Sequence, residues 1–221
     1  MRPCSVWVLY VIVDRDAIGR RDPAAVTAAA IRGGADAVQL RAKRLTTRAL
    51  LDDAARLLPL TREAGIPLII NDRPDVAHAA GADGVHLGQD DLAVEAARAI
   101  LGPGRLIGKS THSLEQARAA EAEGADYIGV GPIFPTPTKP DYGSVGPSLI
   151  EAVAAAVRVP QVCIGGIEAG NLAQVLEAGA RCIAVVRAVC AAEHPESATR
   201  ELKQAISRCQ APFRCQAPFI P

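Results

Sequence analysis

Short apolar runs recur along the chain up to about residue 207, and segments with a helical spacing of apolar positions separate them. Most of the runs are rich in Val, Ile and Leu and nearly continuous, which is typical of parallel strands buried on both faces. The pattern predicts eight strands, at 7–13, 36–40, 66–70, 84–87, 106–108, 126–130, 160–164 and 181–186. It predicts eight helices, at 23–33, 47–64, 74–80, 92–101, 113–123, 148–157, 170–178 and 195–207.

A seven-residue motif marks four of the junctions between a helix and the next strand. It reads GADAVQL from Gly34, GADGVHL from Gly81, GADYIGV from Gly124 and GARCIAV from Gly179. In each copy, a glycine that can end a helix is followed by a tight turn and a strand. Four junctions of one kind within eight strand–helix units predict an α/β protein with a single closed (β/α)8 TIM barrel. An open doubly wound sheet is the alternative, although no GxGxxG motif follows the first strand.

The composition is typical of a globular domain with a large core. Apolar residues make up 49% of the 221 residues, and the formal net charge is zero. A chain without net charge gives no reason to expect a nucleic acid or an anionic membrane as a partner. The first apolar run, Val6 to Val13, is too short to span a bilayer and lacks a signal-peptide cleavage pattern, so we expect a cytoplasmic protein. The sequence leaves open whether the chain forms a homo-oligomer.

The six cysteines are predicted to be reduced and mostly structural. None of them has CxxC spacing, and three lie in or beside apolar strand-like runs.

The C-terminal segment is predicted to lie outside the barrel. Arg208 to Phe213 reads RCQAPF, and Arg214 to Phe219 repeats it. Two short copies that contain proline offer too little periodic apolar surface to pack as an element. We therefore expect a barrel domain over 1–207 and a disordered tail over 208–221.

The longest predicted loop, Gly131 to Gly146, reads GPIFPTPTKPDYGSVG. Its prolines and glycines exclude a helix or an interior strand, and a loop of this length in a compact domain is usually functional. It follows a predicted strand and carries Thr136, Thr138 and Lys139 within four residues. We expect a ligand-binding lid, and the alternative is a solvated loop stiffened by proline.

Polar residues are concentrated at the carboxyl ends of the predicted strands, where barrels of this class carry their chemistry. They are Gln39, Arg41, Lys43, Asn71, Asp72, Arg73, His86, Gln89, Asp90, Asp91, Lys109, Ser110, His112 and Arg187. His86 and His112 are expected to be hydrogen-bonding residues of the rim or core rather than metal ligands.

Asp72 and Asp91 follow adjacent strands, so their carboxylates can meet. Hard oxygen ligands near cations suit Mg²⁺ shared with a substrate phosphate, and Arg41, Lys43 and Lys139 could converge on one polyanion. Two alternatives stay open at this point. The carboxylates could be a general acid and base, or Asp72 could cap the next helix.

A glycine pair, Gly165 and Gly166, lies between the seventh strand and the following helix in the segment IGGIEAGN. Backbone N–H groups at such a turn can cradle a phosphate, as commonly happens after strands seven and eight of barrels. Tight turns also need glycine for conformational reasons alone.

Five segments together resemble thiamine phosphate synthase: VQLRAK, INDRPDVAHAAGADGVHLGQDD, GKSTH, GADYIGVGPIFPTPTK and CIGGIEAGN. The resemblance runs from about Tyr10 to Ala191. It implies an enzyme of thiamine biosynthesis that joins a hydroxymethylpyrimidine diphosphate to a thiazole phosphate and releases pyrophosphate through a dissociative pyrimidine-cation mechanism. A thiazole tautomerase, which is a related barrel, and a non-catalytic phosphate-binding barrel remain alternatives.

The resemblance also implies roles for single residues, with Mg²⁺ as cofactor and two small molecules as partners. Asp72 and Asp91 would bind the metal. The implied catalytic residues are Arg41, Lys43, Ser110 and Lys139. The implied substrate contacts are Gln39, Leu40, Arg41, Ala42, Lys43, Asn71, Ser110, Thr136, Pro137, Thr138, Lys139, Gly166, Val186 and Arg187. Many relatives have serine where this chain has Arg187, so its side chain would supply a charge to the thiazole phosphate instead.

Overall fold

Eight strands and ten α-helices alternate in a computed structural model that describes residues 4–137 and 143–214, with side chains up to residue 209. The strands are β1 (Leu9–Asp14), β2 (Ala37–Arg41), β3 (Leu68–Asn71), β4 (Gly84–Leu87), β5 (Leu106–Thr111), β6 (Tyr127–Val130), β7 (Gln161–Ile164) and β8 (Cys182–Val185). The helices are α1 (Arg15–Ile18), α2 (Pro23–Gly33), α3 (Thr47–Glu63), α4 (Pro74–Ala80), α5 (Val94–Leu101), α6 (Leu114–Ala122), α7 (Ser148–Ala156), α8 (Leu172–Glu177), α9 (Arg187–Cys190) and α10 (Pro195–Arg214).

The strands form a closed parallel barrel in sequence order. Each strand pairs with the next, and β1 closes the barrel by pairing with β8 through the register Leu9↔Ile183. The predicted (β/α)8 barrel is confirmed, and the open doubly wound sheet is excluded by this closure. None of the helices in the described part of the chain has the length and apolar composition needed to cross a membrane.

The seven-residue junction motif, here called the GAD motif after three of its four copies, connects the end of a helix to the amino end of the next strand. Its four glycines all have a left-handed backbone, with φ between 67° at Gly81 and 101° at Gly34, which is the conformation that glycine adopts without strain. The aspartate of three copies accepts hydrogen bonds from the start of a neighbouring strand. Asp36 accepts from the N–H groups of residues 8 and 9, Asp83 from residue 68 and Asp126 from residue 107. These carboxylates satisfy backbone donors that begin the strands.

Two apolar clusters make up the core. The larger one fills the layer between the strands and the surrounding helices. The smaller one includes Trp7, Tyr10, Ile12 and Tyr127, and several of its members also line the central cavity described below. The rings of Trp7, Tyr10 and Tyr127 pack edge to face, with centroids 5.5–6.1 Å apart. This aromatic cluster closes the interior of the barrel below the cavity.

Helix α10 packs against α2 and so joins the two ends of the fold. Gly33 faces Thr199 so closely that a Cβ on Gly33 would lie 2.5 Å from the Thr199 Cβ. Lys203 forms an ion pair with Asp36, and Leu202 and Ile206 are buried. Thus α10 fixes the first GAD junction of the chain.

The eight predicted strands and eight predicted helices lie within two or three residues of their predicted positions, except at the C-terminal end, whereas the sequence pattern does not predict the short helices α1 and α9. Helix α10 ends at Arg214 instead of residue 207 and includes the first RCQAPF copy. The sequence predicts no separate packed element in this segment, and the structure shows none there, because residues 208–214 continue α10. The boundary at 207 and the disorder of the tail stay predictions, and residues 215–221 lie outside the described ones.

Candidate active site

A cavity of about 770 Å³ opens at the carboxyl ends of the strands. Tyr10 and Ile12 of β1 lie at its inner end, and the loops after the strands form its rim. The predicted site residues that line it are Gln39, Arg41, Lys43, Asn71, Asp72, Asp91, Ser110, Thr136, Pro137, Gly166, Val186 and Arg187. The cavity therefore brings together residues from seven of the eight strand ends.

Two of the described substrate contacts that were predicted, Leu40 and Ala42, do not line the cavity. The side chains of Leu40 and Ala42 pack in the apolar layer outside the barrel, because they alternate with Gln39, Arg41 and Lys43. Thr138 and Lys139 lie outside the described residues. Any contact from residues 40 and 42 to a substrate would have to use the backbone.

Arg41 is held against Asp14, which lies opposite it in the register of β1 and β2. The side chains of Arg41 and Asp14 are only 13% and 3% exposed. One oxygen of Asp14 accepts from Arg41, while the other accepts from the N–H groups of Asp16 and Ala17 at the start of α1. The guanidinium is thus fixed at the cavity by a buried carboxylate.

Asp72 turns into the cavity rather than onto the next helix. It is the one described non-glycine residue with positive φ, 62°, and Arg73 occupies the N-cap of α4 without a side-chain cap bond. The alternative in which Asp72 caps the helix is therefore wrong. Lys43 Nζ lies 3.4 Å from Asp72 Oδ2.

Asp72 and Asp91 interact as two neighbouring acids. Burial raises the pKa of Asp72 above its ordinary value, and hydrogen bonding and charge repulsion from Asp91 raise the pKa further, while Lys43 opposes the shift. The pair therefore resists carrying two negative charges unless a cation lies between or beside them.

The loop that carries Asp91 is fixed to β5. Asp91 Oδ2 accepts from Gly88 N–H at 2.6 Å, and Lys109 Nζ donates to the Gly88 carbonyl at 2.8 Å. Gln89 Nε2 donates to the Ser110 carbonyl at 2.5 Å. The predicted acid and the predicted serine are thus parts of one hydrogen-bonded unit.

The opposite side of the cavity is built from the glycine pair after β7 and the long loop after β6. Gly165 and Gly166 have φ of 102° and 62°. A Cβ on Gly165 would lie 2.4 Å from the Pro132 Cβ, and one on Gly166 would lie 2.6 Å from the Pro135 carbonyl oxygen. Both glycines are needed because the loop packs directly on this turn.

The described arms of that loop are held by backbone hydrogen bonds. Ile133 and Phe134 donate to the carbonyls of Ile164 and Gly165, at 2.9 and 3.0 Å. Val145 donates to the Pro132 carbonyl at 2.8 Å, which joins the two arms. Residues 138–142 of the predicted lid, Gly131 to Gly146, lie outside the described residues, and its role as a lid stays a prediction.

Comparison with known proteins gives a consistent result over nearly the whole chain. Residues 9–189 match the family model described as thiamine monophosphate synthase. The chain belongs to this family. It is 49% identical to the thiamine-phosphate synthase of Roseiflexus castenholzii, with 90% of this chain and 88% of the relative covered. It is also 49% identical to that of Chloroflexus aurantiacus, with 92% and 94% covered.

A solved structure of the same kind superposes closely on the barrel. The thiamine phosphate pyrophosphorylase from Pyrococcus furiosus is 38% identical, with a TM-score of 0.87, and the match covers 94% of this chain and 99% of that one. The family resemblance seen in the five segments is therefore confirmed.

The donors at the rim fit the Mg²⁺ that the family resemblance implies. Asp72 and Asp91 offer two hard carboxylates, and Asn71 adds an amide at the end of the same strand. No group of three His, Cys, Asp or Glu side chains suited to a metal occurs within the described ranges. Two carboxylates are nevertheless enough for Mg²⁺, which usually keeps several waters and takes its other ligands from substrate phosphates.

Two residues that build the site are not predicted as site residues from the sequence. Tyr10, which lines the cavity, lies in the first apolar run and is predicted as core. Asp14, which holds Arg41 at the cavity, directly follows that run and is predicted only as the end of a strand. His86 and His112 are hydrogen-bonded rim residues, as expected: His86 contacts Tyr127 and Ser110, and His112 contacts the Gly131 carbonyl. The only sequence signal for Asp14 is its place opposite Arg41 once the two strands are paired.

Proposed function

We propose that this protein is a thiamine-phosphate synthase, as its relatives are named, and that it joins a hydroxymethylpyrimidine diphosphate to a thiazole phosphate. The observation that carries the proposal is that two adjacent carboxylates, Asp72 and Asp91, line one cavity together with two cations, Arg41 and Lys43, and that this cavity is large enough for two ligands. Such a set recognises a diphosphate together with a divalent cation.

In the proposed reaction, the bond between the pyrimidine methylene carbon and the diphosphate oxygen breaks, and its electron pair leaves with pyrophosphate. The amino group of the pyrimidine stabilises the resulting cation. The thiazole nitrogen then donates its lone pair to the methylene carbon and forms the new C–N bond. No proton transfer at carbon is required, so the protein has to supply charge for the leaving group and alignment for the nucleophile.

The first task falls to the acidic and basic residues of β2 to β4. Asp72 and Asp91 would hold Mg²⁺, which when bound supplies positive charge that stabilises the leaving diphosphate. Arg41 and Lys43 would bind the diphosphate oxygens directly. Asp14 supports this role of Arg41 because it fixes the guanidinium at the cavity.

The second task falls to the opposite wall. Gly166, the backbone at Val186 and Arg187, and Thr136 would bind the thiazole phosphate. The exposed side chain of Arg187 could meet a phosphate or a carboxylate on this substrate. The predicted roles of Thr138 and Lys139 concern residues outside the described ones and remain part of the proposal. A cytoplasmic location is likewise proposed from the sequence alone.

The thiazole tautomerase alternative accounts for fewer features of the site. A tautomerase has no diphosphate to bind, so it leaves the Asp72–Asp91 pair and the two cations beside it without a use. The same objection applies to a barrel that only binds one phosphate.

The test is pyrophosphate release by the purified protein. We expect release only when the pyrimidine diphosphate, the thiazole phosphate and Mg²⁺ are all present, with thiamine phosphate formed in equal amount. Isomerisation of the thiazole phosphate without any pyrophosphate release would support the tautomerase instead. Binding of both phosphates without either reaction would support the non-catalytic barrel.

A further inference from the structure

A chain of hydrogen bonds, here called the buried relay, runs from Gln39 through Tyr10, Tyr127 and His86 to Ser110. Gln39 Nε2 lies 2.9 Å from the Tyr10 hydroxyl, which lies 3.2 Å from the Tyr127 hydroxyl. His86 Nδ1 lies 3.1 Å from the Tyr127 hydroxyl, and His86 Nε2 lies 3.0 Å from Ser110 Oγ. Five strands contribute one residue each.

Two glycines, Gly108 and Gly129, lie beside the relay at positions where a side chain would collide with it. His86 pairs in register with Gly108, and Ser110 pairs with Gly129. A Cβ on Gly108 would lie 2.2 Å from Tyr127 Cζ and 2.5 Å from His86 Nδ1. A Cβ on Gly129 would lie 3.2 Å from His86 Cε1. The imidazole and the phenol are therefore confined to this position.

One direction of the relay starts from Gln39 as the donor. The amide nitrogen of Gln39 can only donate, so the Tyr10 hydroxyl accepts from it. Either hydroxyl can donate in the contact between Tyr10 and Tyr127, and in this direction Tyr10 gives its proton to Tyr127. Tyr127 then gives its proton to His86 Nδ1. Burial raises the pKa of both tyrosines, so each keeps the single proton that this sequence of bonds requires.

The histidine can complete the relay in only one form. An Nδ1 that accepts from Tyr127 belongs to a neutral imidazole with its proton on Nε2. An imidazolium would donate at Nδ1 as well, and one hydroxyl proton between Tyr10 and Tyr127 would then lack an acceptor within the relay. The Nε2 proton of the neutral form points to Ser110 Oγ.

We propose that His86 is a positioning residue for the reaction: the buried relay holds it as the neutral Nε2–H tautomer, so that Ser110 accepts from it and presents its own hydroxyl proton to the substrate in the cavity. This assignment rests on the proposed function, because it makes Ser110 a hydrogen-bond donor to the diphosphate substrate. The reverse relay, with Gln39 accepting through its carbonyl, would place the proton on Nδ1 and use up the Ser110 proton on His86.

The tautomer can be measured without substrate. Long-range ¹⁵N–¹H spectra of protein labelled at its four histidines separate the two nitrogens, and a His86→Gln sample assigns the His86 signals. We expect a protonated Nε2 and an unprotonated Nδ1. Tyr127→Phe removes the donor to Nδ1 and should shift these signals toward the other tautomer, while His78 and His194 signals stay unchanged. A protonated Nδ1 in the native protein would overturn the assignment.

Kinetics test whether His86 acts through Ser110. We expect Ser110→Ala and His86→Leu each to lower kcat/KM for the diphosphate substrate by about 10- to 100-fold, the loss typical of one hydrogen bond to a charged group. His86→Gln, whose amide can still donate to Ser110, should stay within about threefold of the native enzyme. The double variant His86→Leu/Ser110→Ala should match Ser110→Ala alone, since both changes remove one interaction.

Additive losses in the double variant, or equal losses in the Leu and Gln variants, would overturn the positioning role. A native protein without synthase activity would contradict the proposed function instead. In that case the spectra would still decide the direction of the buried relay, because they need no turnover.

Discussion

Asp14 and Arg41 form an ion pair across the neighbouring strands β1 and β2, and neither side chain is more than 13% exposed. The second oxygen of Asp14 caps the short helix α1. Asp14 therefore contacts both the backbone at the start of α1 and the Arg41 guanidinium that lines the cavity. Its geometry leads to the first prediction.

Asp14→Asn should lower kcat/KM for the pyrimidine diphosphate by about tenfold, a change of about 1.4 kcal/mol. The amide can still cap α1, but it no longer holds Arg41 by charge. Steady-state kinetics with each substrate varied in turn will measure the effect. Asp16→Asn is the matched control, because Asp16 pairs with Arg44 at 3.6 Å on the surface and should leave activity unchanged. Equal losses in both variants would contradict the role of Asp14.

Asp72→Asn should lower turnover by roughly two to three orders of magnitude while the protein stays folded, since it removes a proposed metal ligand. Excess chelator should abolish turnover of the native protein. Asp75→Asn provides the control, because Asp75 pairs with Arg73 on the outside of α4. Full activity of Asp72→Asn, or of the native protein in chelator, would contradict the metal assignment.

Asp91→Asn should stabilise the metal-free protein at neutral pH. It removes one of two acids that repel each other, and the amide oxygen can still accept from Gly88 N–H. We expect Tm to rise by about 2 °C, as a gain below 1 kcal/mol gives in a chain of this length.

Mg²⁺ with pyrophosphate should raise the Tm of the native protein by binding the folded state, and should raise the Tm of Asp91→Asn much less. A lower Tm for the metal-free variant would show that Asp91 is mainly structural.

Deleting everything after Ser207 should keep both Tm and turnover. The contacts that fix α10, at Thr199, Leu202, Lys203 and Ile206, all precede the cut, and residues 207–209 are exposed. Ile206→Ala is the contrast, because removing a fully buried side chain should cost about 2–5 kcal/mol. Thermal unfolding of both proteins will distinguish them. A drop of several degrees in the truncated protein would show that the tail docks on the barrel.

A thiol reagent should separate the cysteines by burial. Burial raises the pKa of Cys163 to about 12 and that of Cys190 to about 11, and it raises the pKa of Cys182 as well. Because the thiolate is the reactive form, these three should react only after unfolding, whereas the exposed Cys209 should react in the native protein. Peptide mapping after brief alkylation will locate the label. Rapid labelling of Cys163 or Cys182 would contradict the closed interior.

The sequence predicts the barrel well because its strands are continuous apolar runs and its junctions repeat. It predicts β5 too short, since Lys109, Ser110 and Thr111 interrupt the apolar pattern although all three remain paired with β6. The polar strand ends are also predicted, because the fold places them at one edge.

The supporting residues of the site are much harder to predict. Tyr10 and Tyr127 look like ordinary core residues, and their hydroxyls meet only because β1 and β6 face each other across the barrel interior. The partner of Arg41 depends on the register of two strands, which no local pattern specifies. Both contacts join residues on different strands, so they can be identified only once the barrel has closed and its register is known.

The closure of the barrel has a consequence for synthesis. One edge of β1 pairs with β8, so this edge stays unpaired during translation until β8 has been synthesised. About 170 residues separate the two, and a ribosome needs roughly 10–30 s to add them. During that time the nascent chain carries an open apolar strand edge, the kind of surface to which chaperones or a second chain can add. We therefore expect slow completion on the ribosome to be the period in which this protein is most exposed to misassembly.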